Sequence, residues 1–322
     1  MSKSKELCLS IIVAIAVLFL GSSSFNHISV SAQSTKSSTQ RYKLKGRKQL
    51  KKYKLKKKTV QNNKATKAKK VTSKRNYSIH RKHRKIKNYQ SVDGFNFPAD
   101  SHPTNKASDS LSLPSNYLFY FDSHKKRIVF KHQTNHNFIK QSMKTNVFHP
   151  NSADVNKTVN IKKINIKMQR QLSNYAAKLV NDFRHKLSNH HPYTNDLKVT
   201  NRALLASRDV AKGYNKDHWN FATRGNHDVK VLNKVFTKFK YNSYGENIVA
   251  SLLANSYISG SVTLANVKES IYGAICAMMF DDADSNWGHA DNFLGIGFDN
   301  SAKQEFGVSI DKMGQIHFEI YQ

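Results

Sequence analysis

Phe306-Gly307-Val308-Ser309-Ile310-Asp311-Lys312-Met313-Gly314-Gln315-Ile316-His317-Phe318-Glu319-Ile320-Tyr321 is the stretch that decides the fold class. Its apolar residues recur at every second position. Phe306, Val308 and Ile310 point one way, and Ile316, Phe318 and Ile320 another, across a turn at Asp311-Lys312-Met313-Gly314. That alternation with a turn between the runs predicts an antiparallel hairpin. Upstream the period changes. Leu172, Tyr175, Ala176, Leu179, Val180, Phe183 and Leu187 follow helical spacing. A second helix is expected over about Arg202 to Tyr214, and a third carries Val267, Ile271, Ile275 and Met278 on one face. Helices first and strands last predict an α+β domain over 171–322, with helices covering a sheet.

Working outward from that domain, the charge divides the chain. Over 171–322 there are 16 Lys and Arg against 15 Asp and Glu. Over 33–92 there are 23 basic residues and no acidic one. The clusters Arg47-Lys48, Lys56-Lys57-Lys58, Lys74-Arg75 and Arg84-Lys85 are separated by Ser, Thr, Gln and Asn. Like charges repel there, and too few apolar residues offset the entropy of folding, so 33–92 is expected to be a disordered basic arm. Tyr42, Tyr53, Tyr77 and Tyr89 are interleaved, which would allow stacking on bases. Residues 93–170 are read as a lead-in segment that packs on the core domain. A small hairpin is expected there, from Leu118-Phe119-Tyr120-Phe121 and Ile128-Val129-Phe130. A turn at Phe148–Ser152 and a basic strand or connector from Val159 to Ile166 follow.

Residues 1–32 have the pattern of a secretory signal peptide. Lys3 and Lys5 precede an apolar run from Leu7 to Leu20, and Val30-Ser31-Ala32 fits a small-residue cleavage site. The run is short of the roughly 20 residues that a membrane span needs, and no later segment is apolar enough for one. Cys8 falls inside the leader, so export would leave Cys276 alone, with no intrachain disulfide. A secreted chain without disulfides points to a Gram-positive source. Cys276 sits among the apolar residues of the third helix, as a small core residue rather than a nucleophile. No sorting motif for covalent wall attachment is present. An exported polycation meets the anionic polymer of its own wall first, so a teichoic acid-like polymer is the expected partner of the arm. Nucleic acid and an anionic membrane surface are the alternatives.

The polar candidates are His218 in Lys216-Asp217-His218-Trp219, Glu246 in Tyr244-Gly245-Glu246-Asn247-Ile248, Asp281-Asp282 at the end of the third helix, and His289 in Trp287-Gly288-His289-Ala290. Gly245-Glu246-Asn247-Ile248, then Trp287-Gly288-His289, then Ile296-Gly297-Phe298 resembles the CAP superfamily of cysteine-rich secretory, antigen 5 and pathogenesis-related proteins. Leu172–Arg184, Asn151-Ser152-Ala153-Asp154 and Asp281–Ala290 look like its bacterial surface-exclusion branch. The resemblance covers about 114–322. It implies a three-layer α-β-α sandwich preceded by the disordered arm, and a cleft holding two His and two acidic residues. Carried over, these are His218, Glu246, Asp282 (or its neighbour Asp281) and His289. Two neutral imidazoles with carboxylates suit a divalent metal, zinc above others, and an open coordination position would activate water. The chain departs from eukaryotic relatives in having Asp at the second acidic position and Ala-Asp-Asn after Gly288-His289. It lacks P-loop, H-E-x-x-H and nucleophile-elbow patterns. The resemblance therefore implies a cell-surface binding or interaction protein of the surface-exclusion or adhesion type, with a surface protein or glycan as possible ligand. A metal-assisted hydrolase of wall or protein substrates, and an exported binder of nucleic acid or another polyanion, are the other readings.

Overall fold

The computed structural model describes residues 88–89, 91, 98–114, 117, 119–122, 124, 127–130, 136–187, 195–250, 262–296, 298–299 and 302–322. The leader expected over 1–32, and all of the arm except Asn88, Tyr89 and Ser91, lie outside them. The described residues fall within one unit. In chain order its elements are β1 (Phe119–Asp122), β2 (Arg127–Phe130), α1 (His136–Thr145), α2 (Ser152–Val155), β3 (Thr158–Val159), α3 (Ile166–Leu187), β4 (Leu197–Val199), α4 (Asn201–Asp217), α5 (Phe221–Arg224) and α6 (Val229–Phe239). There follow β5 (Tyr244–Val249), β6 (Val262–Thr263), α7 (Leu264–Phe280), α8 (Gly288–Leu294), β7 (Gln304–Ile310) and β8 (Ile316–Tyr321).

The central sheet has the order β4-β7-β8-β5, with β4 parallel to β7 and the other neighbours antiparallel. β7 and β8 form the hairpin, and its register pairs Phe306 with Ile320, Val308 with Phe318 and Ile310 with Ile316. The two apolar runs therefore share one face, contrary to the opposite directions expected above. Residues paired directly across an antiparallel ladder project to the same side. Gly314 closes the turn at φ 81°, and the Asp311 carboxylate accepts the backbone N–H of Met313 and Gln315.

The period of two gives the sheet two unlike faces. Phe306, Val308, Ile316, Phe318 and Ile320 are buried in one cluster with Leu172, Leu179 and Phe183 of α3, Ile271 and Ile275 of α7, and Phe293 of α8. Each such side chain contributes about 1.5–3 kcal/mol by leaving water. α7 is buried nearly all round, as its apolar composition requires. Thr263 and Asn266 fix its start with a reciprocal capping box. The other face carries α4 and α6, packed through Ala203, Ala206, Val210, Tyr214, Val231 and Val235 around Ile248 and Tyr321. Helices, sheet and helices make three layers, the α-β-α sandwich of an α+β domain.

α3 starts at Ile166, so the expected strand or connector from Val159 becomes the end of β3, a short 3-10 turn at Ile161–Lys163 and the first residues of this helix. Asn160 caps the 3-10 turn. β1 and β2 form the expected small hairpin. Leu111, Tyr117, Phe138, Phe148 and Ile161 share the α3–α7 core, so residues ahead of 171 contribute to it directly. Tyr89 is buried too, and its hydroxyl donates to Glu269 of α7 at 2.5 Å, beside Ser91 on the other carboxylate oxygen. Asn88, Tyr89 and Ser91 fall within the stretch 33–92 expected to be the arm, and there the buried Glu269 carboxylate holds Tyr89 and Ser91. No described helix is long and apolar enough to cross a membrane.

Candidate functional site

β5 is an edge strand, and its alternation separates two neighbouring motif residues. Asn247 turns to the α8 side. Its amide donates to the His289 carbonyl at 3.0 Å and accepts from Asn292 at 2.8 Å. Gly245 shares that side, where a Cβ would lie 2.7 Å from Asn292 Oδ1, so only glycine lets the strand approach α8 this closely. Glu246 turns to the α4 side. The two segments that carry the family resemblance are thus clamped together, while the Glu246 carboxylate faces a different layer.

Glu246 is buried and hydrogen-bonded through both carboxylate oxygens. Oε2 accepts the Tyr214 hydroxyl at 2.6 Å and lies 2.7 Å from His227 Nδ1. Oε1 lies 2.8 Å from Nδ1 of His317, a fully buried residue. Burial alone would raise this carboxyl, but hydrogen bonds from His227 and His317, and their charge, hold it well below the usual carboxylate range. Burial would lower the His317 imidazole. The flanking Asp311 and Glu246 carboxylates, the latter hydrogen-bonded to it, instead push it up to about 9. Nε2 of His317 is 3.5 Å from Asp311 Oδ2. Glu319 stands opposite Glu246 in the β5–β8 register. Burial and the adjacent Glu246 charge raise it well above the ordinary carboxylate range.

The second acid–base pair sits between α7 and α8. Asp282 is buried, with Oδ1 2.6 Å from His289 Nδ1 and next to Ser285 Oγ. Oδ2 accepts the backbone N–H of His289 at 3.0 Å and of Ala290 at 3.4 Å. The carboxylate therefore anchors the start of α8 as well as its histidine. Burial would lower His289, but the Asp282 charge and hydrogen bond outweigh it and raise the imidazole. Trp287 adopts φ 63° and is buried in the core beside this pair.

His218 stands apart. It ends α4 in the left-handed conformation at φ 48°, with its N–H on the Tyr214 carbonyl, and it is exposed. Trp219 beside it packs on the second core cluster and donates its indole N–H to Asn226. The expected set of His218, Glu246, Asp282 and His289 is thus not gathered in one place. Asp282 pairs with His289, Glu246 pairs with His227 and His317, and His218 closes a helix. Among the described residues these four do not bring their ligand atoms together as one metal-sized group. Cys276 is buried, and burial pushes its thiol well above the ordinary value, as suits a core residue.

Sequence reading missed His227, His317 and Glu319. The alternation that marks Phe318 and Ile320 as core also isolates His317 and Glu319 on the opposite face. That was the available signal, and it stays ambiguous until a helix is known to cover that face. His227 precedes the Asp228 N-cap of α6, and nothing in its local pattern sets it apart from the other histidines.

No protein-family model and no curated protein matches the chain. Among solved structures, the chain is similar to the CAP domain of Enterococcal PrgA, at 20% identity and a TM-score of 0.48, over 66% of this chain and 84% of that one. It is also similar to an extracellular protein containing a SCP domain from Bacillus anthracis, at 13% identity and a TM-score of 0.30, over 50% and 44% of the two chains.

Proposed function

We propose that this chain is a CAP-like extracellular binding protein of the surface-exclusion or adhesion type, held without a covalent link at the cell surface by its basic arm. The observation that carries this reading is the charge division: 23 basic and no acidic residues over 33–92, beside 16 basic and 15 acidic over 171–322. A polycation of that density binds a polyanion by releasing its counterions, and a teichoic acid-like wall polymer is the partner an exported chain meets. The folded domain then presents its surface to a protein or glycan of another cell. The site geometry favours recognition over hydrolysis. Glu246, the acid that such a cleft would use on a substrate, already accepts from Tyr214, His227 and His317 and is buried.

The test is a salt series. The full chain and a variant lacking 33–87, which carries all the basic residues of the arm and leaves Tyr89 and Ser91 in place, are bound to purified anionic wall polymer and to duplex DNA. Retention of the full chain on wall polymer should fall linearly in log–log against salt, and the deletion should abolish it. Retention unchanged by the deletion would reject the reading. A marked preference for DNA would favour the nucleic-acid reading.

A further inference from the structure

β5 and β8 place three potential ligands on one face of the sheet, under α4. Glu246 is opposite Glu319 in the register, and His317 is two residues before Glu319 on the same strand. One ligand atom from each lies within 4.8 Å of the others, and all three side chains are buried. In a tetrahedral zinc shell with bonds of about 2.0–2.1 Å, ligand atoms stand about 3.3 Å apart, so modest side-chain rotation closes the set.

Two further observations point to a ligand here. Both carboxylate oxygens of Glu319 are buried, and neither receives a hydrogen bond from a donor among the described residues. A carboxylate in that position asks for a cation. Behind the set, Asp311 Oδ2 is 3.5 Å from His317 Nε2. His317 Nε2 is buried without a hydrogen-bond partner among the described residues, so a small ring rotation that brings Nε2–H onto that carboxylate would leave Nδ1 facing Glu246 and Glu319, the arrangement in which an outer carboxylate orients a metal-bound imidazole.

We propose that Glu246, His317 and Glu319 form a divalent-cation site, with Asp311 as the outer partner of His317. One imidazole and two carboxylates suit Zn²⁺ better than Ca²⁺, which takes six to eight oxygens. The two carboxylate charges balance the ion. His227, on the other oxygen of Glu246, has a 27% exposed side chain and marks the side from which an ion enters. The site differs from the set implied by the family resemblance, sharing only Glu246 with it. It is also independent of the arm, so its failure leaves the surface-retention reading untouched.

The test uses the full chain without an affinity tag. Zn²⁺ is titrated calorimetrically into the wild type, Glu319→Gln, and a His218→Gly/His289→Gln double variant. One tight site is expected in the wild type and in the double variant, above the weak background that 15 histidines give. Glu319→Gln keeps the side-chain shape and should weaken that site at least about tenfold. Co²⁺ supplies an independent readout, since ligand-field bands should appear with the wild type and not with Glu319→Gln. If circular dichroism shows Glu319→Gln to be unfolded, Glu319→Asp takes its place and should show the same weakening. No tight site, no Co²⁺ bands in the wild type, or affinity lost in the double variant but kept in Glu319→Gln would each overturn the proposal. The two glutamates would then be a carboxyl pair sharing one proton.

Discussion

Glu246 and His317 lie diagonally across the β5–β8 pair with Oε1 and Nδ1 2.8 Å apart, and neither side chain is exposed beyond 1%. Tyr214 and His227 complete the same network from the α4 side. Glu246→Ala would strand the buried His317 imidazole and the buried Tyr214 hydroxyl at once. Removing one partner of a buried pair costs about 3–5 kcal/mol. Urea unfolding should show a midpoint lowered by that amount with an unchanged slope. His227→Ala, at the half-exposed edge, should cost about 1 kcal/mol or less. A loss under about 1 kcal/mol for Glu246→Ala would mean that the network is not closed as described.

His218 offers the opposite expectation. Its imidazole is exposed, and its left-handed conformation is one that glycine adopts without cost. His218→Gly removes the side chain and keeps the N–H to the Tyr214 carbonyl that ends α4. Relief of strain and the extra freedom of the unfolded chain oppose each other, so stability should stay within about 0.5 kcal/mol. A loss several times larger would place this histidine in a contact.

His289 predicts a pH dependence. Its imidazole is raised in the fold by Asp282, against the lowering effect of burial. A raised imidazole stabilises fully below its unfolded value of about 6.5, and that contribution fades as pH rises through the folded value. The His289 resonance in an NMR titration should have its midpoint above 6.5. Asp282→Asn keeps an oxygen for the N-terminus of α8 but removes the charge, so burial should then carry the midpoint below 6.5. An unmoved midpoint would show that Asp282 does not govern it.

What the sequence disclosed follows from which periods are unambiguous. α3, α4 and α7 were readable because their apolar residues repeat on one face, and β7–β8 because theirs alternate around Asp311–Gly314. The Asp282–His289 pair was readable because both residues belong to one local segment, seven positions apart. The Glu246 cluster was not. Its partners come from α4, the loop before α6 and β8, and only the sheet register brings Glu319 opposite Glu246. His218 misled because a histidine after a helix looks the same whether it caps the helix or lines a cleft.

Gly307 sets how closely α4 lies on the sheet that carries this cluster. A Cβ there would meet Ser207 Oγ at 2.6 Å and the Ala203 carbonyl oxygen at 2.7 Å. In a strand interior, alanine is ordinarily better than glycine by about 0.5–1 kcal/mol. Here the obstacle is helix backbone, which cannot rotate away, and overpacking of this kind costs about 1–3 kcal/mol. Gly307→Ala should therefore destabilise, and adding Ser207→Ala should restore little, since the Ala203 carbonyl remains. Gly213 makes the contrast. Its added Cβ would meet Val231 Cγ1 at 2.3 Å, a side-chain contact alone. Gly213→Ala should destabilise by a similar amount, but Val231→Ala in the same chain should recover most of the part due to the clash, leaving the cost of the smaller core residue. A double-mutant cycle by thermal unfolding reads both pairs. Strong coupling at Gly213–Val231 and weak coupling at Gly307–Ser207 is the expected result. Equal coupling would mean that α4 can slide on the sheet, and that the spacing above Glu246 is not fixed by Gly307.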